Sequence, residues 1–367
     1  MNRTLLRSLL VVIGCAVWPA HAAFHLWRID QVYSSSDGEL QYVVMREVSG
    51  TDGENLWAGL PLRSQTTGGV AKTLSFPSNL PSASTASRSV LIATPAFAAL
   101  GLITPDFTMP ARFLPTTGGS LDYAAGTDRI NLPVLPTDGA TAVARTGTPM
   151  AATPKNFANA TATVASMPVR NVEFFNANLN HYFISSLAPD IDALDSGRIS
   201  GWTRTGLSFP VYPAAVGNGA TASPVCRILI PPPANSHFFS ASPDECAATL
   251  VRFPTLVKET DAAFYIALPT TTGPTAGTCA TGTTPVYRVF NNRADGNHRY
   301  TTDPAVRDQM VAEGGTAEGY GPDAVIMCAP AAQAATDAAI TDGSTMPAPG
   351  SDMPGYGGPG YGSGYGP

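Results

Sequence analysis

Three stretches in the second half of this chain lie over one another, and that self-similarity constrains the fold more than any other feature. The first reads Val172-Glu-Phe-Phe-Asn-Ala-Asn-Leu-Asn-His181-Tyr-Phe-Ile, then Ala188-Pro-Asp-Ile, then Gly201-Trp-Thr-Arg-Thr-Gly206. The second reads Val225-Cys-Arg-Ile-Leu-Ile, Ser236-His237-Phe-Phe-Ser and Ser242-Pro-Asp-Glu-Cys246. The third reads Val286-Tyr-Arg-Val-Phe-Asn-Asn, Asn297-His298-Arg-Tyr-Thr, Asp303-Pro-Ala-Val and Gly315-Thr-Ala-Glu-Gly319. Stacked on their histidines, the copies are 56 and 61 residues apart. Each unit reads as a strand, a turn, a His-aromatic strand, a short helix entered through Pro, and a closing strand. One such unit cannot bury its apolar face alone, so three should share a core over residues 168–330.

Cys226, Cys246, Cys279 and Cys328 all fall in or beside these copies. An even count without a CxxC pair reads as two disulfides in an oxidising compartment. Of the three possible connectivities, Cys226–Cys246 with Cys279–Cys328 keeps each bridge within one structural repeat and is the expected one.

The compartment agrees with the start of the chain. Arg3 and Arg7 precede an apolar run from Ser8 to Trp18 and a small-residue site, Ala20-His21-Ala22, which together read as a secretory signal peptide over residues 1–22. That run is too short to cross a membrane, and no later segment is long and apolar enough. A secreted or periplasmic protein is expected. The competing reading, a lipoprotein box at Val12-Ile13-Gly14-Cys15 with a lipid on Cys15, is weakened by the apolar residues that continue past the cysteine.

The first half carries short β-branched and aromatic runs separated by turn residues. Asp37-Gly38 between Leu26–Tyr33 and Leu40–Arg46 is a hairpin signal. Further strands are expected at Lys72–Phe76, Ser89–Ala93, Ser120–Tyr123 and Arg129–Leu132, with a short helix at Phe97–Leu102 and a loop at Thr104–Phe113. Short strands at this spacing suggest a β-sandwich. From Thr137 to Met167 the chain is mostly Ala, Thr, Pro and Gly, read as an interdomain linker over 151–167 with at most one last strand before it. After Ala331 the sequence is low-complexity and ends in Gly, Tyr and Pro, a composition expected to stay disordered over 331–367. The fold class is therefore mainly β: a sandwich over 23–150, then a β-rich three-repeat domain with one short helix per repeat.

Two resemblances accompany these readings. Arg28-Ile-Asp-Gln-Val-Tyr, the Tyr42-Val-Val-Met-Arg-Glu-Val strand, Asn55-Leu-Trp-Ala-Gly-Leu, Thr73-Leu-Ser-Phe-Pro and Val90-Leu-Ile-Ala-Thr resemble the lamin-tail-like sandwich domains of secreted bacterial proteins over residues 24–150. That likeness implies an immunoglobulin-like sandwich used for attachment or interaction, and no catalytic residues. Residues 168–330 resemble a repeat domain of unknown function found at the ends of secreted bacterial and fungal proteins, with motifs of the form Y-R-F-Y-N, H-F-Y-T and E-G. Arg299 departs from that pattern where an aromatic is usual, and Gly314-Gly315 where Gly-Trp is usual.

Chemistry is sparsely marked. No HExxH, CxxC, GxSxG, phosphate-loop or dinucleotide fingerprint occurs in the expected folded region. His181, His237 and His298 could converge as a three-imidazole zinc site, but a histidine beside aromatics in every copy is more often a core or turn element, and no metal or other cofactor is expected. With Tyr182, Phe239, Tyr300 and Trp202 the histidines form the candidate ligand-binding set, and Phe183 and Phe238 join these aromatics in a candidate stacking platform for sugar rings. Core packing is the competing reading. Asn176, Asn180, Asn291, Asn292 and Asn297 are turn formers or hydroxyl-directed donors. Asp190, Asp192 and Asp195 read as the solvated face of a helix. Lysine occurs only at 72, 155 and 258 and the net charge is -6, which leaves no basic patch for nucleic acid. The expected role is a non-enzymatic interaction protein whose partner is a glycan or another envelope component. A structural or adhesive surface protein is the first alternative, and a hydrolase of envelope polymers the second.

Overall fold

The computed structural model describes residues 24–217 and 220–330. The expected signal peptide, the lipid site at Cys15 and the Gly/Tyr/Pro tail lie outside the described residues. The protein is mainly β, with 39% strand and 11% helix.

In the first half β1 (Trp27–Ser34) and β2 (Gln41–Glu47) form the hairpin that Asp37-Gly38 signals. They are followed by β3 (Pro61–Thr66), β4 (Ala71–Ser75), β5 (Ser89–Ala93), α1 (Pro95–Ala99), β6 (Phe107–Thr108), β7 (Gly119–Tyr123), β8 (Asp128–Leu132), β9 (Thr141–Ala144) and β10 (Pro149–Ala151). Two sheets result, ordered β10-β9-β1-β2-β5-β6 and β4-β3-β7-β8. Between them Trp27, Ile29, Val43, Met45, Val90 and Ile92 meet Leu62, Leu121, Tyr123 and Ile130. Trp57 fills the centre, edge-on to Trp27 at 5.2 Å and against Phe76, Phe107 and Tyr123.

A bulge in β1 between Ile29 and Gln31 resets its alternation. Trp27, Ile29 and Val32 thereby face this core, whereas Tyr33 faces the opposite side of the sheet. The Ile29 amide, displaced from the ladder, donates to Asp128 Oδ2 at 2.7 Å, and Arg145 clamps the same carboxylate through both oxygens at 2.5 and 2.6 Å.

The opposite side of the first sheet is covered as well, which is why β2 is buried at five consecutive positions. Tyr33, Tyr42, Val44, Leu91 and Phe97 pack there with Ala142, Ala152 and Val164. The segment read as a linker over 151–167 thus behaves differently from that expectation. After the β9–β10 hairpin, the Ala152 amide bonds to Ala140 O and the Val164 amide to Ala152 O, and both side chains are buried. Small side chains lie flat on a sheet face, so a run poor in large apolar residues still closes a core.

The second half opens with β11 (Val169–Asn176), β12 (His181–Ser185), α2 (Ala188–Asp195) and β13 (Trp202–Val211). Four short strands follow or flank the next unit: β14 (Val216–Gly217), β15 (Ala220–Thr221), β16 (Ser223–Pro224) and, later, β20 (Tyr265–Ile266). The second copy is β17 (Cys226–Ile230), β18 (Ser236–Ser240), α3 (Pro243–Arg252) and β19 (Val257–Thr260). The third is β21 (Thr283–Phe290), β22 (His298–Thr301), α4 (Pro304–Ala312) and β23 (Thr316–Glu318), closed by β24 (Val325–Pro330) on β21. All three copies build the same sheet, with the first strand central: β12-β11-β13, β18-β17-β19 and β22-β21-β23. The second strands β12, β18 and β22 touch one another, so the copies close around a pseudo-threefold axis. Phe174, Ile184, Phe239, Val286, Tyr300 and Met327 form one core drawn from all three.

The bridges are Cys226–Cys246 and Cys279–Cys328, the local connectivity. Their sequence separations are 20 and 49 residues. On the chain-entropy account, replacing each pair with alanine should cost about 3 and about 4 kcal/mol respectively. Urea unfolding of Cys226→Ala/Cys246→Ala and Cys279→Ala/Cys328→Ala, compared with the parent, measures both costs and their order.

The two halves meet where α2 sits on the β1–β2 turn. The Ala188 amide donates to Ser36 O at 2.7 Å, and the Arg170 amide to Asp37 Oδ2 at 3.3 Å. Arg112 pairs with Glu39, with Asp192 at 2.9 Å and with Asp195 at 3.2 Å, and Lys72 adds a contact to Asp192 at 3.2 Å. Asp192 and Asp195 are therefore not a solvated helix face but ion-pair partners of the sandwich. Gly38 makes the approach possible: with φ at +72°, a Cβ there would lie 2.7 Å from Arg112 Cγ.

Candidate ligand site at the repeat junctions

The copies are registered by hydroxyls rather than by histidines. Ser185, Ser240 and Thr301 each end the second strand and accept a hydrogen bond from the amide two residues on, just before the helix. In this frame strand pairing makes Glu173, Arg227 and Arg288 equivalent on the first strands. On the second strands Phe183, Phe238 and Arg299 correspond. Tyr182 then stands where His237 and His298 stand. His181 is one position off and corresponds to Ser236 and Asn297.

His181 is consequently an axis residue and not a third copy of a site. It is fully buried, with Nε2 3.2 Å from Asp295 Oδ2. Asn297 beside it bridges the copies: its amide group donates to Tyr182 O and Ser236 Oγ and accepts from the Tyr182 amide.

The other two histidines belong to a five-residue arrangement that occurs twice. Between copies one and two, Arg227 pairs with Asp190 of α2 at 2.6 Å and with Glu259 of β19 at 2.8 Å, and Glu259 also holds His237 Nε2 at 3.2 Å. Between copies two and three, Arg288 pairs with Glu245 of α3 at 2.7 Å and Glu318 of β23 at 2.9 Å, and Glu318 holds His298 Nε2 at 3.3 Å. In each case a phenylalanine of the preceding copy lies against that histidine and arginine: Phe183 at 4.8 and 5.8 Å, Phe238 at 5.2 and 4.8 Å. Ser185 and Ser240 donate to the helix carboxylates, Asp190 and Glu245. Asp190, like its helix neighbours, is thus engaged and not a bare surface charge.

At the third junction every member is changed and the charges are exchanged. Glu173 stands at the arginine position, and Arg299 of copy three reaches it through both carboxylate oxygens at 2.9 Å while lying 4.0 Å over the Tyr182 ring. Val306 takes the place of the helix carboxylate. The departure of Arg299 from the aromatic pattern has this cause: it supplies the cation that Glu173 requires.

Electrostatics follow the geometry. Burial works against ionising Glu245 and Glu318, yet Arg288 holds Glu245 below the ordinary carboxylate range, and His298 with Arg288 does the same for Glu318. The His237 contact, against an opposing burial, lowers Glu259 likewise. Burial disfavours the charge on Arg288, but its bonds to Glu245 raise it above its ordinary value. Each junction is a locked ionic cluster.

The second of these junctions opens into a cavity of about 610 Å³. Phe238, Phe253, Leu256, Phe290 and Ile230 line it together with Glu245, Arg288, Glu318, His298, Arg252 and Arg293. At the first junction Trp202 occupies the position that Leu256 holds at the second, and it lies edge-on to Phe183 at 6.0 Å. A larger cavity of about 910 Å³ lies between the two halves, but no aromatic side chain lines it, and its Lys72, Asp192 and Asp195 are engaged in ion pairs.

Of the candidate set read from the sequence, His298 lines the cavity, His237 and Trp202 belong to the first junction, and His181 and Tyr182 lie at the axis and under Arg299. Phe239 and Tyr300 are core residues. The Tyr300 hydroxyl donates to Phe239 O and accepts from its amide, both at 2.8 Å, so neither ring is available to a sugar. Phe238 of the aromatic platform lines the cavity as well; the cavity residues missed were Phe253, Phe290, Arg288, Glu245 and Glu318. Ser185 with Asp190 and Ser240 with Glu245, a hydroxyl and an acid five residues later, was the signal that would have given the true register. Among the described residues no group of three His, Cys, Asp or Glu side chains is spaced to hold a metal ion, and no helix is long and apolar enough to cross a membrane. No family model, curated protein or solved structure matches this chain.

Proposed function

We propose that this chain is a saccharide-binding protein exported to the periplasm or beyond, and that the cavity between the second and third repeats is its site. The observation that carries this is the cavity's lining, in which the aromatic rings of Phe238, Phe253 and Phe290 stand among the hydrogen-bonding groups of Glu245, Glu318 and His298. Sugar rings present an apolar face to aromatic side chains and hydroxyls at their edges to ionised carboxylates. The volume, about 610 Å³, falls within the range of small-ligand sites. Two disulfides and the signal-like start of the chain fit an oxidising compartment. The sandwich would serve as the platform that attaches or presents the repeats.

One observation favours a hydrolase instead: His298 and Glu318 stand within 3.3 Å in the same cavity as Glu245. Glycoside hydrolysis needs one carboxyl that keeps its proton. Both carboxyls here are held below the ordinary range, and neither serine nor cysteine lines the cavity. Binding is therefore the better reading.

The test is retention of the mature chain on a panel of immobilised polysaccharides, with reducing ends assayed in the flow-through. Phe253→Ala and Phe290→Ala should each weaken retention about two- to tenfold, as expected for loss of aromatic stacking worth about 0.5–1.5 kcal/mol per ring. Phe253 is 47% exposed, so its replacement should leave the melting temperature nearly unchanged. Unaltered retention in both variants would remove the cavity as the site, and polymer cleavage would favour the hydrolase.

A further inference from the structure

The charges around the cavity are not balanced evenly. Arg288 is engaged by Glu245 and Glu318. Arg293 is engaged by Asp295 and by Leu179 O at 3.0 Å. His298 is held by Glu318. Arg252, the last residue of α3, also lines the cavity and is exposed. Its guanidinium lies 5.2 Å from the Phe253 ring centroid, and it makes no ion pair among the described residues. A chain of net charge -6 thus presents, at the rim of its aromatic cavity, a guanidinium with no carboxylate opposite it. Guanidinium groups bind carboxylates through two parallel bonds and keep their charge at any relevant pH.

We propose that the cavity takes a saccharide that carries a carboxylate, with the carboxylate on Arg252 and the apolar face of the ring against Phe253 and Phe290. The proposal rests on reading the cavity as a saccharide site. The adjacent ring supports it twice: Phe253 holds the guanidinium over its face and offers a stacking surface beside it. At the first junction the position equivalent to Arg252 is Gly197, so this recognition belongs to the second junction alone.

The experiment measures retention of the full mature chain on polygalacturonate, on its methyl ester, which keeps the rings and removes the charge, and on peptidoglycan, whose carboxylates lie on lactyl and peptide groups. Arg252→Gln, Arg252→Glu and Phe290→Ala are compared, with melting temperature as the folding control. The expected result is binding to an acidic polymer at least tenfold tighter than to the ester, weakened about tenfold by Arg252→Gln, which removes the charge-assisted bonds, and weakened further by Arg252→Glu. The acidic polymer retained tells whether the carboxylate sits on the ring or on a substituent. If the ester binds as tightly and Arg252→Gln changes nothing while Phe290→Ala weakens retention, the carboxylate is overturned and the saccharide site stands. If no polymer is retained, both readings fall.

Discussion

Arg288→Ala is expected to destabilise the repeat domain by about 3 kcal/mol, a far larger loss than its position on a surface cavity suggests. Its side chain is 5% exposed and is flanked by two ionised carboxylates. Removing the cation leaves those carboxylates facing each other against Phe238, and uncompensated buried charge costs about 3–5 kcal/mol. Glu245 and Glu318 keep roughly a third of their surface in water, which places the value at the lower end. Lys258→Ala supplies the contrast, because Lys258 and Asp261 form an ion pair at the surface and such pairs contribute under about 1 kcal/mol. Replacing the cluster together, Glu245→Gln, Arg288→Met and Glu318→Gln, should recover much of the loss. Urea unfolding of the full chain gives all three values. A cost for Arg288→Ala no larger than that for Lys258→Ala would mean that the clusters do not hold the copies together.

The same clusters show how far the sequence could be read. Copy number, element order within each copy and the disulfide pairing were legible, because each depends on local signals: alternating apolar residues, Pro at a helix start, and cysteines close in the chain. The register was not. Stacking on histidine places His181 with His237 and His298, whereas the hydroxyl turns place Tyr182 there and move His181 to the axis. Adjacent side chains of a strand face opposite sides, and a run of two aromatics does not tell which one faces the core, so the candidate platform mixed core residues, Phe239 and Tyr300, with Phe238 of the cavity. The exchange of Glu173 for arginine and Arg299 for phenylalanine is invisible in either copy alone. It becomes intelligible only when the closing junction brings the two together.

In the sandwich the misses have a different cause. β3 reads Pro61-Leu-Arg-Ser-Gln-Thr, with Leu62 its one large apolar side chain, yet it is central to the second sheet. Its other buried position is Ser64, whose hydroxyl donates to Phe113 O at 2.5 Å. A polar residue satisfied by a neighbouring loop gives no periodic signal. Residues 152–164 were hidden likewise, since alanine and threonine pack on a sheet without looking like a core. Where partners decide burial, composition is a poor guide.

Acid should act in opposite directions on the boundary between the two halves and on the repeat junctions. Glu245, Glu259 and Glu318 are held below the ordinary carboxylate range. Their contribution is therefore fully present above the unfolded pKa, about 4.3, and is lost as pH falls through the lower folded values. At the boundary between the halves the sign is reversed. Burial raises Asp37, against the pull of its bonds to Ser35 and to the Glu39 and Arg170 amides, and burial with the neighbouring Asp37 charge raises Glu39. A raised carboxyl opposes the folded state while it is ionised, so lowering the pH through the folded values, above the ordinary range, relieves that cost. The boundary should thus gain stability in mildly acidic solution, where the repeats are still unaffected, and the repeats should then fail below about pH 4. Urea unfolding of the full chain between pH 7 and pH 3 should show stability rising and then falling steeply. Asp37→Asn should reduce the rise to the part that burial of Glu39 carries and leave the fall, whereas Glu245→Gln with Glu318→Gln should lower stability at pH 7 and flatten the fall. A rise undiminished in Asp37→Asn would locate the titrating group elsewhere, and a fall as steep in the double variant would mean that the junction carboxylates do not carry the acid sensitivity.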